Sequence, residues 1–148
     1  MKNFMEEAIK EALKAKKHGE VPIGAVIVKD DKIIAKAYNK RESKKNALFH
    51  AEILAINKAC KKLKSWRLDD ATIYVTLEPC PMCAGAISNA RIKKLIYGAS
   101  EKSSNQNFLE SILSSTRLNH KTLYEKDEYH EQQCSQLLKD FFKSIRKK

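Results

Sequence analysis

Two short runs carry groups able to do chemistry: His50-Ala51-Glu52 and Pro79-Cys80-Pro81-Met82-Cys83. Between them they offer one imidazole, two thiols and two carboxylate oxygens. Zinc takes four ligands, chiefly nitrogen and sulfur, and a catalytic site leaves one position for water. Three ligands with a carboxylate free to be a non-ligand are the components of a hydrolytic zinc centre, not of a closed structural one. The expectation is one zinc ion per chain, held by His50, Cys80 and Cys83, with Glu52 as catalytic proton carrier. Two thiolates cancel the formal charge of the ion, so its water is less acidified than on an all-histidine site, where the pKa is about 7. A carboxylate that takes the water proton and passes it to the leaving group compensates.

These residues need elements that point them at one place. Cys80 and Cys83 are three apart where a helix over 81–91 begins, with Pro81 in its first position. A helix start carries partial positive charge, which favours the thiolate that a metal requires. His50 opens a second helix running to Leu63, with Ile53, Leu54, Ile56, Ala59 and Cys60 at helical spacing. Two helix starts could therefore converge on one ion. Around them we read a helix over 4–17 stopped by Gly19 and a strand from Val21 to Val28 buried on both faces. A turn at Asp30-Asp31 leads to a strand over 32–38 and a polar loop over 39–49. Further on come strands over 71–77 and 94–97, the second ended by Gly98, and a loop over 100–107. A short helix over 108–118, a weak strand over 121–125 and an amphipathic helix over 129–146 complete the chain. Strands alternating with helices predict a three-layer α/β domain.

Two other readings of the cysteines compete. A C-x-x-C can be a redox dithiol, but His-Ala-Glu upstream has no part in that chemistry. A closed Cys2His2 site would need His18, His120 or His130, and none has finger-like spacing to Cys83; we read these three as surface or loop residues. Cys60 and Cys134 lie on helical segments and read as small buried hydrophobes.

At 148 residues the chain has the length of a single domain spanning 1–148. No apolar run approaches the roughly 20 residues that span a bilayer. Glu6, Glu7 and Glu11 near the start are foreign to a secretory signal, so the expected compartment is cytoplasmic. The net charge is +11, from 24 Lys and 5 Arg against 18 acidic residues, which suits a polyanionic partner such as RNA and equally a solvated lysine-rich surface.

The order His-x-Glu then Pro-Cys-x-x-Cys is the signature of zinc nucleobase deaminases, tRNA-acting ones among them. Around it the chain resembles the bacterial tRNA adenosine deaminases along nearly its whole length. The similar stretches are Glu20–Val26, Trp66–Leu68, Tyr74–Ile87, Arg91, Ile96–Ala99, Asn119–His120 and Asp140–Phe142. The resemblance implies a cytidine-deaminase-like fold, α/β/α with a five-stranded mixed sheet, and a homodimer. It implies hydrolysis of the wobble adenosine in a tRNA anticodon to inosine. It also implies His50, Cys80 and Cys83 as zinc ligands, Glu52 as proton shuttle and Asn39 as a contact to the target nucleotide. An anticodon loop suits such an enzyme because its bases are already unpaired and a base can enter a pocket at low cost.

Two segments depart from the family pattern. Asn46–Phe49 stands where Asp-Pro-Thr-Ala is usual, and Ser100–Asn105 stands where an Asp and a glycine-rich loop are usual. Both would flank the substrate pocket. The alternatives are a small-molecule deaminase of a guanine- or cytosine-type base or nucleoside, and a zinc-stabilised RNA-binding module. The free Glu52 and the open coordination position speak against the second.

Overall fold

The computed structural model describes residues 3–100 and 108–146. Helix α1 (Phe4–Lys17) starts at Asn3, whose side chain accepts from the Glu6 amide at 3.3 Å, and places acids in its first turn and lysines in its last. Both charge sets complement the helix dipole. It stops at Gly19, where φ is +75°. The Gly19 amide bonds the Lys16 carbonyl at 3.1 Å and the Glu20 amide reaches back to Ala15 at 3.0 Å, the paired closure of a Schellman end.

Strands β1 (Gly24–Lys29) and β2 (Lys32–Tyr38) form an antiparallel hairpin. Asp30 and Asp31 both sit at positive φ, 53° and 59°, as a two-residue turn of this hand requires. The apolar run beginning at Val21 predicted an earlier strand. Pro22 has no amide to donate, and Ile23 turns its own amide onto the Val21 carbonyl at 2.8 Å, so pairing begins only at Gly24. Gly24 also lets α1 lie against the strand: a Cβ there would stand 2.1 Å from the Ala8 carbonyl oxygen.

The remaining elements are α2 (Ala51–Leu63), β3 (Thr72–Leu77), α3 (Pro81–Asn89), β4 (Lys94–Ala99), α4 (Phe108–Leu113), β5 (Leu123–Lys126) and α5 (Glu131–Arg146). The sheet order is β2-β1-β3-β4-β5. β1 is antiparallel to both neighbours, while β3, β4 and β5 run parallel. Ala25 and Ile27 face a core built with α2 and α3, and Val26 and Val28 face one built with α1 and α5. The strand is thus buried on both sides, as its unbroken apolar pattern predicted. Each fully buried valine or isoleucine of this kind contributes roughly 1.5–3 kcal/mol. β4 runs through Gly98 to Ala99 because Leu77 of β3 pairs with Ala99. α4 stops at Leu113 and not at 118. The loop predicted over 100–107 lies, beyond Ser100, outside the described residues.

Because β2, β3 and β4 all end at the same edge, Asn39, Glu78 and Ser100 emerge together. That edge is also where α2 and α3 begin. Ligand sites in α/β sheets form at such carboxyl ends.

Candidate active site and metal centre

His50 and Cys80 are the N-caps of α2 and α3, and neither spends its side chain on a capping bond. Both side chains are therefore available to a ligand. Cys83 is one turn into α3 and fully buried. The three donor atoms all lie within 4.8 Å of one another. His50 Nδ1 stands 3.7 Å from Cys80 Sγ and 3.6 Å from Cys83 Sγ. Zinc bonds of about 2.0 Å to nitrogen and 2.3 Å to sulfur, arranged tetrahedrally, separate those atoms by about 3.6 Å. The donor set and its spacing fit zinc.

The electrostatics agree with that reading. A hydrogen bond from the Cys83 thiol, aided by His50, pulls Cys80 down to about 4. The same shared proton, with burial and the nearby Glu52, pushes the Cys83 thiol up. Cys80 is thus the readier thiolate of the two, and a cation that took the place of the Cys83 proton would be held by two thiolates. Glu52, in the first turn of α2, is 4% exposed. Burial pushes its carboxyl up to about 7, the range in which a carboxylate can both take and return a proton near neutrality. A dication among the three donors would favour its ionised form.

These groups form the floor of a cavity of about 720 Å³. Asn39 and Arg41 stand on one side, Leu77, Glu78, Ala99 and Ser100 on another, and α5 closes the outer wall with Leu138, Lys139, Phe142, Lys143 and Arg146. Nucleotide-sized ligands fit cavities of this size. Asn39 is nearly buried, with its carbonyl oxygen accepting from the Arg41 amide at 3.1 Å and its Nδ2 donating to Val21 at 3.4 Å. All five residues singled out in the sequence, Asn39, His50, Glu52, Cys80 and Cys83, line or underlie this one cavity.

Several lining residues were not foreseen. Arg41 followed from no motif, and the α5 wall was legible only as an amphipathic helix whose polar face carries lysines. Of the remaining histidines, His130 is a correction. It is 4% exposed and not a surface residue, with Nδ1 2.7 Å from Asp127 and Nε2 3.3 Å from Asn3 Nδ2. It joins the starts of α1 and α5, far in the chain from each other, which no local pattern announces. His120 sits in a loop against the Ile92 carbonyl, and His18 is exposed. Cys134 is buried as predicted, while Cys60 is only half-buried.

The sequence model of the MafB19-like deaminase family matches residues 1–146. A tRNA-specific adenosine deaminase of Bacillus subtilis (strain 168) is 48% identical over 98% of this chain and 90% of its own length. The chain belongs to the tRNA-specific adenosine deaminase family. A structure from a study of A-to-I editing by tRNA:A34 deaminases at the wobble position of transfer RNA superposes with a TM-score of 0.84 at 39% identity. It covers 91% of this chain and 98% of that one. The five-stranded mixed sheet between helices is therefore the cytidine-deaminase-like fold. A guanine deaminase from Bacillus subtilis is 43% identical but covers only 68% of this chain and 66% of its own, with a TM-score of 0.64.

Proposed function

We propose that the chain, working as one domain, is a zinc-dependent hydrolase that converts the wobble adenosine of a tRNA anticodon to inosine. The observation that carries this reading is the buried Glu52 carboxylate beside the His50, Cys80 and Cys83 donors, at the floor of a cavity rimmed by Arg41, Lys139, Lys143 and Arg146. His50 Nδ1 and the two cysteine sulfurs would hold one zinc ion. When bound, zinc supplies a Lewis acid that makes water nucleophilic near neutral pH. Glu52 takes one proton from the water that attacks C6 of the adenine and delivers it to ring nitrogen N1, and then carries the second, from the new C6 hydroxyl, to the amino group that leaves as ammonia. Its burial excludes competing solvent and keeps its proton affinity near that of the groups it serves. Asn39 stands at the cavity wall, where it can contact the target nucleotide. Leu138 and Phe142 offer an apolar face to a flipped base, and the basic rim attracts flanking phosphates without reading sequence.

The chain works as a homodimer. An apolar recess lined by Leu48, Ile53, Met82 and Leu118, with Leu48 56% exposed, supports a partner surface beside the starts of α2 and α3. Its compartment is the cytoplasm, in keeping with a tRNA substrate and four unpaired cysteines. No helix among the described residues is long and apolar enough to cross a membrane.

The test presents the purified protein with an anticodon stem-loop carrying adenosine at the wobble position, and separately with free guanine, cytidine and adenosine. Inosine in the RNA and little turnover of the free compounds is the expected result. Turnover of a free base beside an inert stem-loop would sink this reading and favour a small-molecule deaminase.

A further inference from the structure

Glu20 is a buried carboxylate, 1% exposed, that takes no part in the chemistry above. Leaving a charge in the interior without compensation costs several kcal/mol. The compensating groups here are backbone amides of the cavity rim. Glu20 Oε1 accepts from the Glu42 amide at 3.0 Å and Oε2 from the Ser43 amide at 2.6 Å.

The reason lies in the turn that follows Asn39. There the Lys44 amide bonds the Lys40 carbonyl at 3.0 Å and the Asn46 amide bonds Arg41 at 3.0 Å. Such a turn leaves its first amides without carbonyl partners inside it. Asn39 Oδ1 satisfies the Arg41 amide, and Glu20 satisfies the next two. Two backbone strips are thereby laced together, since the Asn39 amide also bonds Ile23 at 3.1 Å and its Nδ2 bonds Val21. The turn carries Lys40, Arg41, Lys44 and Lys45 within six residues. A buried negative charge beneath it offsets their mutual repulsion. Glu20 is itself held in place because its amide closes the end of α1 on Ala15.

We propose that Glu20 is a positioning residue for substrate binding: through the amides of Glu42 and Ser43 it fixes the rim turn that presents Asn39 and Arg41 to the cavity. This rests on the reading of that cavity as the substrate site. Glu20 contacts neither the metal donors nor Glu52, so its loss acts on binding and leaves the proton transfers in place.

The variant Glu20→Gln keeps the size of the side chain but turns an amide donor toward one of the rim amides. Two measurements test it. On the anticodon stem-loop, KM should rise about tenfold with kcat held within about threefold, and zinc content per chain should stay that of the wild type. In the free protein, hydrogen exchange of the Glu42 and Ser43 amides should speed up about tenfold while the amides of α2 and α3 keep their rates. Glu20→Asp, which keeps the charge on a shorter arm, should fall between the two. An unchanged KM, or wild-type exchange at residues 42 and 43, would overturn the proposal, as would a kcat that collapses together with zinc content. If the wild type itself leaves the stem-loop unedited, the function reading fails, and the exchange rates still decide whether Glu20 holds the rim.

Discussion

The floor of the cavity, at the starts of α2 and α3, and its outer wall along α5 differ in burial, in charge and in what holds them. On the floor, Cys83 and Glu52 are buried and His50 and Cys80 sit at capping positions whose backbone geometry is set by the helix they open. Pro81 adds a fixed φ between the two cysteines. On the wall, Lys139, Phe142, Lys143 and Arg146 are exposed side chains on the open face of an amphipathic helix. That helix is anchored from its other face, where Cys134 and Leu137 join the core with Met5, Ile9 and Val28. Chemistry that depends on sub-ångström placement is therefore built from backbone-determined positions. Attraction of the polyanionic substrate proposed above tolerates mobile side chains and would fall to the helix surface. Changes on the floor should act all-or-none, and changes on the wall should be graded.

The sharpest way to break this comparison is to remove the metal. Chelation should abolish turnover and added zinc should restore it, followed by metal analysis and inosine formation. Turnover in fully metal-free protein would mean that the floor is not a metal centre. Next in size, Glu52→Gln should lower kcat by about 10²–10⁴ while keeping about one zinc per chain; a near-normal rate would take the proton shuttle away from Glu52. On the wall, a Lys139→Ala/Lys143→Ala double variant should raise KM for the stem-loop by only a few-fold and leave kcat alone. Its binding should also depend less steeply on salt, the log–log slope falling by about 0.7 for each phosphate no longer neutralised. A wild-type slope would show that these lysines are merely solvated.

The smallest effect expected concerns pH and the rim turn between floor and wall. Burial alone would raise the Glu20 carboxyl, but the amide bonds from Ser43 and Glu42 outweigh it and hold the group below its ordinary value. A carboxyl lowered in the folded state contributes stability that is fully present above its ordinary value and lost as pH falls through the lowered one. The gap in unfolding free energy between the wild type and Glu20→Gln should thus be present at neutral pH and shrink in acid. Denaturant unfolding measured across that range checks it, and a gap independent of pH would remove the charge from the account.

Most of the floor was legible without the structure because its signals are local. C-x-x-C behind a proline and His-x-Glu before a helical run each state residue type, spacing and helix start together. The sheet was legible too, since β1 is apolar on both faces and the later strands alternate with helices. Boundaries failed where a single backbone group decided them: the missing amide of Pro22 delayed β1, and pairing with Leu77 carried β4 past Gly98. The burial of His130 and Glu20 was illegible for another reason. Their partners lie more than twenty residues away, Asp127 excepted, and a polar residue looks the same in sequence whether it meets water or a distant amide.

What the sequence by itself determined is the reactive set: one imidazole, two thiols, a separate carboxylate and the helix starts that carry them, encoded in two short runs, 50–52 and 80–83. The tertiary structure alone decided how that set is enclosed. Only the shared edge of β2, β3 and β4 brings Asn39 to His50 and Cys80. Only the docking of α5 turns an amphipathic helix into a cavity wall, and only the end of α1 delivers Glu20 beneath the rim. Helix caps and ligand spacings follow from local backbone geometry, whereas enclosure depends on which distant surfaces the buried apolar faces force together.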